Sequence, residues 1–129
     1  MIKYFLNRNF DEFTKYINTK NINVISNFIT IFESYGIEKT YNLLLSYVKL
    51  NSKELNKKLY NIFKYYKKGY DDYVIMTSDA KKEIKELGIK ILINFPSKQT
   101  DDLLLQIQKN EKKQEIKDLL DEYFEFKNL

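Results

Sequence analysis

Cysteine, histidine and tryptophan are all missing from this sequence of 129 residues. Without cysteine there is no disulfide, thiolate zinc site, iron–sulfur ligation or cysteine nucleophile. Without histidine there is no Ser-His-Asp triad, no Cys-His dyad and no imidazole metal ligand. Glycine and proline number only 3 and 1, so few positions interrupt a helix. Long apolar runs are missing too. Met1 to Leu6 are largely apolar, but Asn7, Arg8, Asn9 and Asp11 end the run far short of a signal-peptide core. Later apolar stretches are interrupted within a few residues, so no transmembrane helix is expected. The chain has no Asn-x-Ser/Thr sequon. A cytoplasmic, reducing setting is therefore the expectation.

What is present is a chain 43% hydrophobic and 31% charged, the size of one ordinary domain. It is long enough to bury roughly two-thirds of its unfolded surface without a metal or disulfide staple. The net charge is +4, unevenly spread. Residues 1–70 hold 11 Lys and Arg8 against 5 acids, and residues 71–129 hold 10 Lys against 13 acids. That division predicts a basic end and an acidic end. All cations but one are lysine. Arginine is the residue favoured for bidentate reading of guanine, so its scarcity argues against sequence-specific DNA recognition. An AT-rich genome explains the excess of Lys, Asn, Ile and Tyr equally well.

Apolar spacing predicts helix nearly throughout. A first helix is expected over Asp11–Thr19. A second runs over Asn23–Tyr35 with Val24, Ile25, Phe28, Ile29 and Phe32 as its stripe, ended by Gly36 as a left-handed cap. A third covers Glu38–Leu50. Ser52 caps a fourth that runs to Lys68, with Leu55, Leu59, Ile62, Phe63 and Tyr66 inward and Gly69 ending it. Tyr70–Met76 is read as a short helix, although Tyr73-Val74-Ile75 also suits a strand. Ser78 or Asp79 caps a helix with Ile84, Leu87, Ile91 and Leu92 inward, and Pro96 follows it. Thr100 caps the next, with Asp101 and Asp102 in its first turn, where the helix dipole favours carboxylates. The last covers Lys113–Phe126. Its Ile116, Leu119, Leu120 and Tyr123 oppose Asp118, Asp121, Glu122 and Glu125. Leu44, Leu45, Leu104 and Leu105 are expected in the core.

The chain repeats itself at an offset of 60. Thr40–Lys49 lies over Thr100–Lys109, and the match continues ungapped through Lys53/Lys113, Lys57/Lys117, Leu59/Leu119 and Lys67/Lys127, giving nine identities. Upstream, Val24/Ile84, Ile29/Ile89, Ile31/Ile91, Phe32/Leu92 and Tyr35/Phe95 agree in character, and the turns carry Gly36 and Pro96. A weaker apolar match at an offset of 30 fits four helical hairpins. Such hairpins bury their apolar faces by stacking on neighbours. One domain over 1–129 is expected, with an internal duplication of about 22–68 and 82–128.

The run from Asp79 to Ile107 resembles a short HEAT-like repeat: a helix of alternating apolar and small positions, a tight turn, then a helix carrying a Leu-Leu pair. Asn23–Lys49 has the same plan. The usual alanines and the arginine after the turn are missing. The resemblance implies an all-α, HEAT-like α-solenoid of stacked antiparallel hairpins, about seven or eight helices, that binds protein or nucleic acid. It supplies no catalytic residues. An irregular helical bundle is the alternative architecture.

The segment Lys57–Tyr73 interleaves lysines with tyrosines. Lys57, Lys58, Lys64, Lys67 and Lys68 can neutralise phosphates, and tyrosine can stack on bases, so single-stranded nucleic acid fits chemically. Tyr60, Tyr65 and Tyr70 are alternatively anchors of a protein interface, because tyrosine buries a large ring and keeps a polar tip. An ordinary solvated face explains the same lysines. The acids at Asp71, Asp72, Asp79, Asp101 and Asp102 suit general acid/base work or Mg²⁺ in principle, but helix capping explains Asp79, Asp101 and Asp102 without it. No calcium-loop spacing, phosphate-binding glycine loop or nucleophile elbow occurs. The acidic outer face Asp118, Asp121, Glu122 and Glu125 can meet a basic partner or simply be solvated. The resulting expectation is a non-catalytic protein-binding module with no cofactor or metal and no membrane contact. It would be a small adaptor or an inhibitor of a larger protein, of the kind phages and mobile elements encode. A basic nucleic-acid-binding domain is the alternative.

Overall fold

A computed structural model describes residues 21–127. The described chain is all-α, as expected, with seven α-helices and no strand among the described residues. The helix expected over Asp11–Thr19 lies outside them. The described residues form two compact units, the first ending at Ile62 and the second beginning at Phe63.

The first unit contains α1 (Ile22–Tyr35), α2 (Ile37–Ser46), a 3₁₀ turn over Tyr47–Leu50, and α3 (Lys53–Phe63) up to the boundary. Asn21 starts α1 by accepting from the N–H groups of Asn23 and Val24. One residue, Gly36, separates α1 from α2. Its φ of 129° and ψ of 125° lie outside the left-handed region expected of it, in territory that only glycine enters easily. Ile25, Ile29, Phe32, Leu44, Leu55 and Leu59 are fully buried or nearly so. The Lys58 ammonium ties α3 to α1, donating to the Ser26 carbonyl and the Thr30 hydroxyl at 3.0 Å each. Ser52 caps α3 as expected, accepting from Leu55 N at 3.2 Å.

The second unit contains a 3₁₀ turn over Lys67–Gly69, α4 (Tyr70–Met76), α5 (Lys82–Leu92), α6 (Lys98–Asn110) and α7 (Gln114–Lys127). Tyr73-Val74-Ile75 is helical, which settles the strand alternative. Ile89, Leu104, Ile116, Leu120 and Tyr123 form a core that joins α5, α6 and α7. Tyr73 is fully buried, its ring 5.7 Å from that of Phe63 and 6.2 Å from that of Phe95.

Four local expectations are corrected. The helix from Ser52 stops at Phe63 rather than Lys68, and Tyr66 is non-helical at φ −110°, ψ 83°. The buried Tyr73 hydroxyl donates to the Tyr66 carbonyl at 2.8 Å, so a tertiary bond claims an acceptor that a continuing helix would use. Thr100 is not the cap of α6; Ser97 is, accepting from Thr100 N at 3.1 Å. Neither Ser78 nor Asp79 caps α5, which starts after Lys81, and Asp79 instead accepts from Lys81 N two residues on. Finally, Leu44 and Leu104 are fully buried, but Leu45 is only half-buried and Leu105 is 41% exposed. Adjacent helical residues point about 100° apart, so one of each pair takes the core.

Positions 60 apart in the two hairpins share burial. Ile29 and Ile89, Phe32 and Leu92, Thr40 and Thr100, and Leu44 and Leu104 are all buried at 1% exposure or less. Both threonines tie the turn before them. Thr40 Oγ1 is 3.3 Å from the Phe32 carbonyl and 3.0 Å from that of Gly36. Thr100 Oγ1 donates to the Phe95 carbonyl at 2.9 Å and meets the Tyr70 hydroxyl at 2.6 Å. Valine matches threonine in shape and lacks the donor. Thr40→Val and Thr100→Val are each expected to destabilise by about 1–2 kcal/mol in urea unfolding, with Thr100 the more costly because it loses more partners.

Candidate functional site

The lysine–tyrosine segment does not form one helical face, because the helix ends at Phe63 and the boundary between the two units runs through it. In the first unit, Lys57 is exposed and Tyr60 half-buried on α3, while Lys58 is engaged with α1. In the second, Tyr65 stands 80% exposed in the turn after α3, with Lys64 Nζ 5.1 Å from its ring centre. Lys67 and Lys68 are exposed on the 3₁₀ turn. Tyr70 is half-buried, and its hydroxyl is held by Thr100. Lys58 and Tyr70 therefore hold the fold together, and Tyr65 is the tyrosine of the three offered most fully to solvent.

A different surface draws more together. Ile93, Leu119, Tyr123 and Phe126 line an apolar groove of about 320 Å³ between the end of α5 and α7, and Glu122 is the acidic residue in its wall. Helical spacing explains its composition. Ile116, Leu120 and Tyr123 point into the core, and Leu119, Tyr123 and Phe126 form the next stripe round. Asp118, Glu122 and Glu125 form the stripe beyond that, all exposed. Phe126 is 75% exposed. The Phe126 ring stands at the groove edge and extends the apolar surface of Ile93 and Leu119 towards solvent.

Polar links hold α7 in place. The Glu111 carboxylate, just before α7, accepts from the N–H groups of Lys112 and Lys113 at 3.1 and 3.0 Å and pairs with Lys85 on α5 at 2.5 Å. Burial opposes its ionisation most strongly. The Lys85 bond and the two backbone donors together outweigh that, so its pKa lies below the ordinary carboxylate value. Lys82 on α5 pairs with Glu115 on α7. Asp101 on α6 accepts from the Tyr123 hydroxyl at 2.7 Å and pairs with Lys127. These two bonds, Lys127 first, hold the Asp101 carboxyl below its usual range, while burial and then Asp101 push the Tyr123 phenol up. The groove floor is thus fixed at both ends of α7.

Other buried polar groups offer little chemistry. The Tyr47 hydroxyl and the Asn56 side-chain amide are buried without a hydrogen-bond partner among the described residues. Burial pushes Tyr47 up to about 12, so it stays neutral near pH 7. Among the described residues no group of three or more metal-ligating side chains converges, and no helix is long and apolar enough to cross a membrane. No family model, curated protein or solved structure matches the chain.

The acidic face of the last helix was visible in the sequence. Phe126 does not belong to the core stripe that the apolar spacing predicts: Leu119 and Phe126 continue a second stripe at i, i+7. A ring that far off the core stripe was the available signal.

Proposed function

We propose that the protein is a non-catalytic protein-binding module of the HEAT-like helical-repeat type, an adaptor or inhibitor that works in the cytoplasm. The observation that carries the reading is the apolar groove on α7, with Phe126 exposed at its edge. Aromatic side chains presented beside a groove are the usual anchors of protein interfaces. The shared burial of Ile29/Ile89, Phe32/Leu92, Thr40/Thr100 and Leu44/Leu104 supports the repeat type. The absence of cysteine suits a reducing compartment.

Nucleic-acid binding is the second reading, favoured by the exposed Tyr65 ring beside Lys64, Lys67 and Lys68. The two are separated by affinity capture from source-cell lysate, with and without nuclease. The first reading predicts one stoichiometric protein that survives nuclease and is lost with Phe126→Glu. Recovery that collapses on nuclease, or with Lys64→Glu/Lys67→Glu, would replace it with the second.

A further inference from the structure

We infer that the α7 groove receives a basic amphipathic helix from another protein, its apolar stripe on Leu119 and Phe126 and its lysines or arginines along Asp118, Glu122 and Glu125. The inference rests on the protein-binding reading above and names the class of partner.

Charge complementarity selects the occupant. The apolar stripe Leu119, Tyr123 and Phe126 runs beside the carboxylate stripe Asp118, Glu122 and Glu125 along the same helix, each at i, i+4, i+7 spacing. A helix lying along α7 with apolar residues at the same spacing presents its flanking positions to those carboxylates. Asp118 accepts from the neutral Gln114 amide at 2.7 Å, and neither Glu122 nor Glu125 enters an ion pair among the described residues. Lys127, next in sequence to Phe126, is bound to Asp101. An acidic or neutral apolar helix would leave the carboxylate stripe desolvated without compensation.

Among the described residues, a second copy of this chain offers no exposed apolar stripe flanked only by bases. The other exposed large apolar residues there are Val24, Tyr65, Ile75 and Leu105. Tyr65 sits in a turn, not on a helix. Ile75 lies one turn after Asp71 and Asp72, and Leu105 lies one turn after Asp101 and Asp102 and one turn before Lys109, so neither is flanked by bases alone. Val24 has only uncharged described neighbours on its face of α1.

The groove also has the size and rigidity for this role. About 320 Å³ accommodates one or two large apolar side chains, as anchor pockets do. The Lys85–Glu111 and Tyr123–Asp101 links fix α7 before the partner arrives, which lowers the entropic cost of binding.

The test is a fluorescence-anisotropy titration of the whole protein with a labelled synthetic helix of about 18 residues, five turns, with Leu and Phe on one face and Lys on the other. A scrambled peptide and one with Glu in place of Lys are the controls. The expected result is saturable binding of the Lys helix alone, weakened at least tenfold both by Phe126→Glu and by the neutralised variant Asp118→Asn/Glu122→Gln/Glu125→Gln. Raised salt should weaken wild-type binding and leave the neutralised variant little changed. Both variants alter exposed side chains, so circular dichroism should show them folded. No binding, equal binding of the Glu or scrambled peptide, or binding indifferent to both variants overturns the inference. The probe is synthetic, so its result is independent of the capture experiment. Failure here with nuclease-resistant capture intact places the interface elsewhere on a protein-binding module, whereas nuclease-sensitive capture overturns the module itself.

Discussion

Gly88→Ala is expected to destabilise the protein by about 2–3 kcal/mol, although alanine normally stabilises a helix interior by about 1 kcal/mol over glycine. Gly88 lies in the middle of α5, where that helix meets α4. A Cβ there would lie 2.7 Å from Met76 Cβ, 2.9 Å from the Tyr73 carbonyl oxygen and 3.1 Å from Thr77 N. Two of the three are backbone atoms, and the third is fixed to the backbone. No rotamer change relieves the contact, so α4 must move away from α5. That movement disturbs Tyr73, which is fully buried beside Phe63 and Phe95 and bonded to the Tyr66 carbonyl. Thermal unfolding should show the midpoint lowered by roughly 10 °C. Gly36→Ala is the informative companion. Its Cβ would meet nothing within 4 Å, so a loss there reports the strain of holding alanine at φ 129° alone. A neutral or stabilising Gly88→Ala would refute the close approach of α4 and α5.

The second large effect concerns Lys85. Lys85→Met should cost about 2 kcal/mol, because it strands the Glu111 carboxylate, whose side chain is only 4% exposed. Lys85 itself is 27% exposed, which keeps the figure below that of a fully buried pair. Lys85→Met/Glu111→Gln should recover part of the loss, since the glutamine carbonyl still accepts from Lys112 and Lys113 and carries no charge. The pH dependence follows from the sign of the shift. The Glu111 pKa is lowered in the folded state, so its contribution is complete above the ordinary value of 4.5 and is lost as pH falls through the lower, folded value. Urea midpoints measured from pH 7 down to pH 3 should therefore fall less steeply for Glu111→Gln than for the natural chain. Parallel slopes would show that the carboxylate is solvated and unpaired.

Local sequence made the helices legible, and tertiary bonds account for most of what it did not reveal. Scarce glycine and proline and the apolar spacing locate all seven described helices, and the offset of 60 pairs Thr40 with Thr100, which are both buried. The end of α3 was not legible, because the Tyr73 hydroxyl that claims the Tyr66 carbonyl comes from seven residues away. Sequence does not separate Ser97 from Thr100 as the α6 cap, because the two hydroxyls have the same chemistry and the burial of Thr100 beside Phe95 and Tyr70 depends on folding. The repeat also loses its phase between α3 and its counterpart α7. Leu59 is fully buried and its counterpart Leu119 is half-buried; Ile62 is buried and its counterpart Glu122 is exposed. That divergence opens the groove on α7 where the earlier unit has core. At Lys57–Tyr73, alternating Lys and Tyr was a real compositional signal, but Lys58 and Tyr70 are committed to internal hydrogen bonds that composition does not reveal.

The central claim is that the α7 groove is the binding surface. It is tested most directly by two-dimensional NMR of labelled protein during titration with the nuclease-resistant partner recovered by capture. The account predicts that shifts concentrate on Ile93, Leu119, Glu122 and Phe126, and that the backbone signals of Tyr65, Lys67 and Lys68 stay in place. Shifts centred on Tyr65, Lys67 and Lys68, with the groove residues unmoved, would contradict it.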